Sequence, residues 1–174
     1  MNLLRIRIFG DPILRERAKP VEKIDKSISN LAKCMLETMK AEKGVGLAAT
    51  QVGVLERICV CDPGENPMVL INPEIIEMSE EKEIVEEGCL SLPGVTVNIP
   101  RFKWIKVKAL DLKGNVQIIE AEDILARIIQ HEIDHLNGNL ILDRASKEER
   151  RKALSELSKY FLVTQTDPTT FSSK

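Results

Sequence analysis

The sequence predicts an α+β fold, with antiparallel or mixed β-sheets packed around a central His-Glu-x-x-His helix and flanked by an N-terminal and a C-terminal helix. Three observations predict it. Apolar residues recur at three- and four-residue steps in 25–43 and again in 121–137, the mark of helices with one buried stripe. Between them lie short β-branched runs bounded by Asp, Asn, Pro and Gly, including one clear hairpin. No internal repeat or linker divides the chain, and 174 residues that are 43% apolar and 30% charged suit one compact unit. A single catalytic domain is therefore expected over 1–163, with a flexible Thr/Ser-rich tail over 164–174.

Taken in order, 1–9 alternates apolar and basic residues and reads as a first strand. Asp11-Pro12 supplies an N-cap and a first-turn proline for a short helix over 13–17, which Pro20 stops. Ile28, Leu31, Ala32, Met35, Leu36 and Met39 form the stripe of the next helix, with Gly44 as its stop. The stretches 57–61 and 68–72 read as strands, and 104–109 with 116–119 forms the hairpin around an Asp111–Gly114 turn. The second helix, 121–137, has Glu122 and Asp123 in its first turn and Gly138 beyond its end. Ser146 and Glu149 make a capping box for a last helix reaching about residue 161.

With 25 Lys+Arg against 27 Asp+Glu, the net charge of −2 gives no reason to expect DNA or an anionic membrane as a partner. No run approaches the ~20 apolar residues of a membrane span. The first residues lack the features of a signal peptide, so a reducing, cytoplasmic setting is expected, in which Cys34, Cys59, Cys61 and Cys89 stay free thiols. Cys34, Cys59 and Cys61 are read as packing residues.

The chain has only two histidines, and both fall in His131-Glu132-Ile133-Asp134-His135. At i and i+4 two imidazoles share one helical face, where they can ligate one Zn(II) or Fe(II) while Glu132 flanks the ion. The apolar neighbours Ile128, Ile129, Ile133 and Leu136 imply burial, and two buried imidazoles with a carboxylate call for a compensating cation. A catalytic site needs a third protein ligand and one open position. No further histidine exists, and Glu148 and Glu149 fall at the start of an exposed helix.

Upstream stand Glu87-Gly88-Cys89-Leu90-Ser91-Leu92-Pro93 and Gly44-Val45-Gly46-Leu47-Ala48-Ala49-Thr50-Gln51. With the histidine pair these resemble the three motifs of peptide deformylases, in that family's order and spacing, and the likeness runs from about Leu3 to the last helix. The resemblance implies that Cys89, His131 and His135 bind one divalent ion per chain, Fe(II) in cells and Zn(II) in aerobic preparations, with water in the fourth position. It implies Glu132 as general base and acid, and Gln51 with the Leu90 N–H as donors to the developing oxyanion. Gly44, Val45 and Gly46, with Glu87 and Gly88 before the cysteine, would bind the substrate main chain as an added strand. The substrate would be the formyl-methionine end of new polypeptides, and the products formate and a free amine.

Helical spacing places Ile124, Arg127 and Ile128 on or beside the metal-facing side. Ile124 and Ile128, with Val85, fit an apolar methionine pocket. Arg127 stands where the family has an apolar residue; it is expected to lay its stem along the pocket and hold its guanidinium in water, or else to pair with Glu122 or Asp123. Gly44 and Gly46 would allow close approach or positive φ, and Gly88 would clear space beside the ion. Arg101 matches an arginine that supports the cysteine loop, and Thr96 and Asn98 are rim positions. Some relatives dock a basic C-terminal helix transiently on the ribosome; here Glu148, Glu149 and Glu156 break up the charges, so a solvated face is expected. Two competing functions stand beside deformylation. A zincin-like metallopeptidase would leave Cys89 and Gln51 without roles, and a non-catalytic structural-metal module would need a fourth protein ligand.

Overall fold

A computed structural model describes residues 2–64 and 66–166. In chain order the elements are α1 (Lys26–Ala41), β1 (Gly46–Ala48), β2 (Ile58–Cys61), β3 (Met68–Met78), β4 (Lys82–Cys89), β5 (Leu92–Phe102), β6 (Trp104–Leu110), β7 (Val116–Glu122), α2 (Asp123–Leu136), α3 (Ile141–Arg144) and α4 (Lys147–Thr166). The α+β class is as expected. Five antiparallel strands form a sheet in the order β1-β2-β3-β6-β7, and β4 and β5 form a separate two-stranded ribbon. The helix carrying both histidines, α2, packs against strands of the sheet and against β5 of the ribbon.

The helices follow from their caps and stripes. Asp25 accepts hydrogen bonds from the Ser27 and Ile28 N–H groups, and Ile28, Ala32, Met35 and Met39 are buried along one face of α1. The helix ends earlier than Gly44: Lys43 takes the left-handed position at φ 55°, and the Gly44 N–H closes the turn on Met39 O at 2.8 Å. Beyond α2, Gly138 does adopt the expected left-handed conformation, at φ 78°. The Asp111 carboxylate ties the β6–β7 turn by accepting from Lys113 N and Asn115 N, as the hairpin pattern requires.

Several expectations change. Residues 2–9 belong to no strand, because Arg7 N–H donates to Gln51 O and Phe9 N–H to Ser91 O, bridging two elements instead of one ladder. Leu4 and Ile6 still pack inward. The short helix is a 3-10 turn, Pro12–Arg15. Strand β3 continues through Pro73 to Met78, with register shifts against β6. Ala121 and Glu122 belong to β7, so α2 begins at Asp123. Helix α4 runs to Thr166, past the boundary expected at 163, and Thr164 Oγ1 donates to Tyr160 O and Phe161 O. The rest of the expected tail, 167–174, lies outside the described residues.

Three clusters fill the interior. One lies between α2 and the sheet around Ile105, Val107, Ile129 and Leu136. A second joins α1 to β2 and β3 through Met35, Met39, Ile58 and Ile71. In the third, Val95, Val97 and Ile99 of β5 meet Ile141 of α3 and Ala153 and Leu157 of α4. Burying such side chains contributes about 1.5–3 kcal/mol each. Among the described residues no helix is long and apolar enough to cross a membrane.

Candidate metal centre

Strand β4, the segment after β1 and helix α2 converge on one point. Cys89 ends β4, and its Sγ lies 3.2 Å from His135 Nε2, which is 3.1 Å from His131 Nε2. Tetrahedral bonds of 2.0–2.3 Å would place N and S ligand atoms about 3.3–3.6 Å apart. The three atoms thus stand within a few tenths of an ångström of the spacing that one ion needs, and among the described residues they are the group able to hold one. Cys59 and Cys61 are buried in β2 and are not part of that group.

The electrostatics suit a cation. Burial alone would raise the Cys89 thiol, but the His135 and His131 imidazoles hold it well below the ordinary thiol range. Burial opposes charge on His131 too, yet the Cys89 sulfur and Glu87 carboxylate hold its pKa well above the usual imidazole value. A divalent ion satisfies the same thiolate by displacing protons from the set. Two buried polar atoms beside it, Glu132 Oε2 and His135 Nδ1, have no hydrogen-bond partner.

Glu132 is 3% exposed, and burial pushes its pKa up to about 7 against the pull of His131 and His135. Its other oxygen explains Gly46. A Cβ at residue 46 would collide with Glu132 Oε1 and sit 2.9 Å from its Cδ, so glycine is required for the carboxylate to fit, and positive φ has no part in it. Gly44 also lacks positive φ; a Cβ there would press on Leu90 Cδ1 at 2.9 Å. At Gly88 a Cβ would meet no atom beyond its chain neighbours nearer than 3.9 Å.

Gln51 closes the site from the 3-10 turn Ala49–Val52. Its Oε1 accepts from Ala48 N–H at 2.9 Å, which fixes the amide so that Nε2 points at Ser91 Oγ, 3.2 Å away, and at Cys89 Sγ, 3.6 Å away. At 1% exposure Gln51 is a buried amide held against the cysteine by these contacts.

An ion-pair chain supports the ligands. Glu87 Oε2 meets His131 Nδ1 at 2.9 Å, and Arg101 grips Glu87 through Nε and Nη2 at 2.7 and 2.9 Å. Arg101 Nη1 then donates to Asp134, which Arg144 also holds. Burial works against the Glu87 carboxylate, but Arg101 and His131 lower its pKa to about 2. The Glu87 side chain is thus committed to orienting a histidine. Arg101 thus bonds the strand that ends at Cys89 through Glu87, while Asp134 was not singled out from the sequence. A Glu87→Gln variant removes the anion that fixes the His131 ring, so metal affinity should fall by about 10–100-fold in a competition with a chelator. Unchanged affinity would assign Glu87 to folding alone.

A cavity of about 540 Å³ opens over the centre, lined among others by Val45, Gly46, Gln51, Ile124, Arg127, Ile128 and Glu132. Val85 is not on its wall: the lining of β4 starts at Glu86, and Val85 is buried opposite Ile99. Thr96 lines the cavity, whereas Asn98 bonds to Glu149 of α4. Ile124 is 54% exposed, so it forms the lip, and buried Ile128 forms the wall. Arg127 does lie along the cavity, but its guanidinium pairs with Glu83 at 2.7 and 3.0 Å, neither free in water nor paired with Glu122 or Asp123. The reason is the inward face of β4, which puts Glu83 across from α2. Arg127→Leu should raise KM for a substrate seated in this cavity roughly three- to tenfold with kcat unaltered, the range of about 1 kcal/mol of lost contact. Identical constants in the variant would dispose of a role for Arg127 in the pocket.

Residues 3–151 match the sequence profile of a family described as polypeptide deformylase. A peptide deformylase of Dictyoglomus thermophilum is 58% identical over 143 residues, 82% of this chain and 93% of that protein. One from Thermotoga maritima is 49% identical over 160 residues, covering 90% of this chain and 98% of the relative. The crystal structure of a peptide deformylase from Legionella pneumophila superimposes with a TM-score of 0.90 at 39% identity, over 96% of this chain and all of that one.

Proposed function

Because the chain belongs to the polypeptide deformylase family and is an enzyme of that family, we propose that it removes the formyl group from the formyl-methionine terminus of new polypeptides. The observation that carries this reading is the convergence of Cys89, His131 and His135 beside a buried carboxylate with one unpartnered oxygen. When bound there, a divalent ion supplies Lewis-acid polarisation of a carbonyl and acidification of water.

The chain's own residues do the rest. Glu132, with its pKa near 7, takes the proton of the attacking water on its free oxygen and returns it to the departing amine nitrogen. Gln51 Nε2 and the Leu90 N–H stabilise the oxyanion as the formyl carbon becomes tetrahedral. The substrate backbone lies against Val45-Gly46 and the Glu87–Cys89 strand end, and the methionine side chain lies against Ile128 under the lip of Ile124. Discrimination against longer acyl groups rests on the size of the site. The ligand set accepts both Zn(II) and Fe(II); Fe(II) is our assignment in the cytoplasm, and Zn(II) in aerobic preparations.

The test is formate release from a formyl-methionyl peptide by the metal-loaded protein. Release of formate, with the acetyl-methionyl analogue left intact, is the expected result. Cleavage at internal bonds would favour a zincin-like metallopeptidase, and inertness toward both peptides would favour a structural metal.

A further inference from the structure

A second cavity, of about 370 Å³, opens along a different stripe of α2, where Gln130, Ile133, Asp134 and Asn137 line it. Its wall carries four arginines and a lysine against two carboxylates. Two of the arginines are already matched, since Arg101 and Arg144 both donate to Asp134. That leaves Arg17, Arg57 and Lys82 facing Glu74.

Arg57 is half-buried, and all its bonds go to neutral oxygens: Asn137 Oδ1 at 2.9 Å, Pro73 O at 3.2 Å and Leu136 O at 3.5 Å. The carbonyl end of α2 offsets part of its charge. Among the described residues, however, no carboxylate forms an ion pair with it; Glu74 acts on it only at longer range, and a half-desolvated guanidinium without a close anion is costly. Burial and the like charge of Arg17 both push the Arg57 pKa below its ordinary value. Arg17 and Lys82 are exposed at the rim. Three cations border an open space, Arg57 fixed by three bonds, Lys82 with its Nζ 4.5 Å from the centroid of the Phe102 ring, and Arg17 on an exposed stem, and together they match the chemistry that binds tetrahedral oxyanions.

We propose that this cavity binds a small dianionic oxyanion of the phosphate class, with Arg57 as its base and Arg17 and Lys82 closing over it. The site is separate from the metal centre, although Asp134 and Arg101 in its wall reach toward His131 through Glu87.

Metal-loaded protein titrated calorimetrically with inorganic phosphate, against chloride at matched ionic strength, tests the proposal. Saturable one-to-one binding is expected, weaker by about tenfold in Arg17→Gln and tighter by about threefold in Glu74→Gln, since a rim cation and a rim anion act in opposite directions. The gain in Glu74→Gln cannot come from misfolding. Neither residue lines the metal centre, so phosphate held there would bind both variants as it binds the wild type. That result, or no saturable binding, overturns the proposal. Adenosine monophosphate titrated in parallel separates the sources of the anion: equal affinity assigns the site to the free ion and tighter binding to a phosphorylated ligand, and both must weaken in Arg17→Gln.

Discussion

Glu132→Ala should reduce formate release from a formyl-methionyl peptide by about 10²–10⁴-fold or more, the contribution of a positioned acid–base group, while the bound metal stays in place. The two halves of this result have separate causes. Glu132 supplies no atom to the Cys89, His131 and His135 cluster, so the ligands survive its loss. What disappears is a buried carboxyl poised near pH 7, able to take a proton and give it back. The variant also relieves a burial cost, because Oε2 has no partner in the folded chain. Its thermal stability should therefore equal or exceed that of the wild type, and activity and stability should move in opposite directions. Full activity in Glu132→Ala would sink the proposed mechanism. Metal analysis alongside the kinetics guards against a trivial loss.

Cys89→Ala should lose both metal and activity, whereas Cys34→Ala, Cys59→Ala and Cys61→Ala should keep both. The distinction lies in geometry. Cys89 alone of the four lies against the imidazoles, and removing it leaves two histidines as ligands. Cys59 and Cys61 pack in the core beside Leu70 and Ile105, so their replacement should cost about 1–2 kcal/mol of stability. Metal content measured after dialysis separates the two groups. Retention of a full equivalent by Cys89→Ala would show that another group completes the ligand set.

The elements that the sequence made legible are those whose apolar pattern obeys one period. The β6–β7 hairpin alternates cleanly around an Asp–Gly turn, and α1 and α2 carry single stripes. The β4–β5 ribbon was hidden because its pattern is inverted. Ile84 points outward at 76% exposure, while the Glu87 side chain on the other face of the strand is only 10% exposed, held inward by Arg101 and His131. Pro93, Gly94 and Pro100, which ordinarily interrupt a strand, further mask β5. The histidine pair was readable from its i, i+4 spacing, whereas Cys89 joined it only through the resemblance of its motif to the deformylase family's. Asp134 was not readable, because its value depends on Arg101, 33 positions away, and Arg144, 10 positions away. The pairing of Arg127 with Glu83 was missed for the same reason, as it depends on which residues of the strand before Cys89 turn toward α2.

Among the described residues the two sheets share no backbone ladder, and this would give a bound metal a mechanical meaning. The β4–β5 ribbon is fastened to the body by the packing of α3 and α4 on β5, by the Arg101–Asp134 pair, and by Cys89 among the histidines of α2. An ion bound by those three residues would act as a clasp between the ribbon and the helix. Chelation should then speed amide exchange in 82–102 while leaving β2 and β3 nearly unchanged, and equal acceleration in both regions would refute the clasp. Oxidation of one thiol would in that case do more than stop turnover: it would let the ribbon breathe, and the first sign of an ageing enzyme would be proteolytic nicking there.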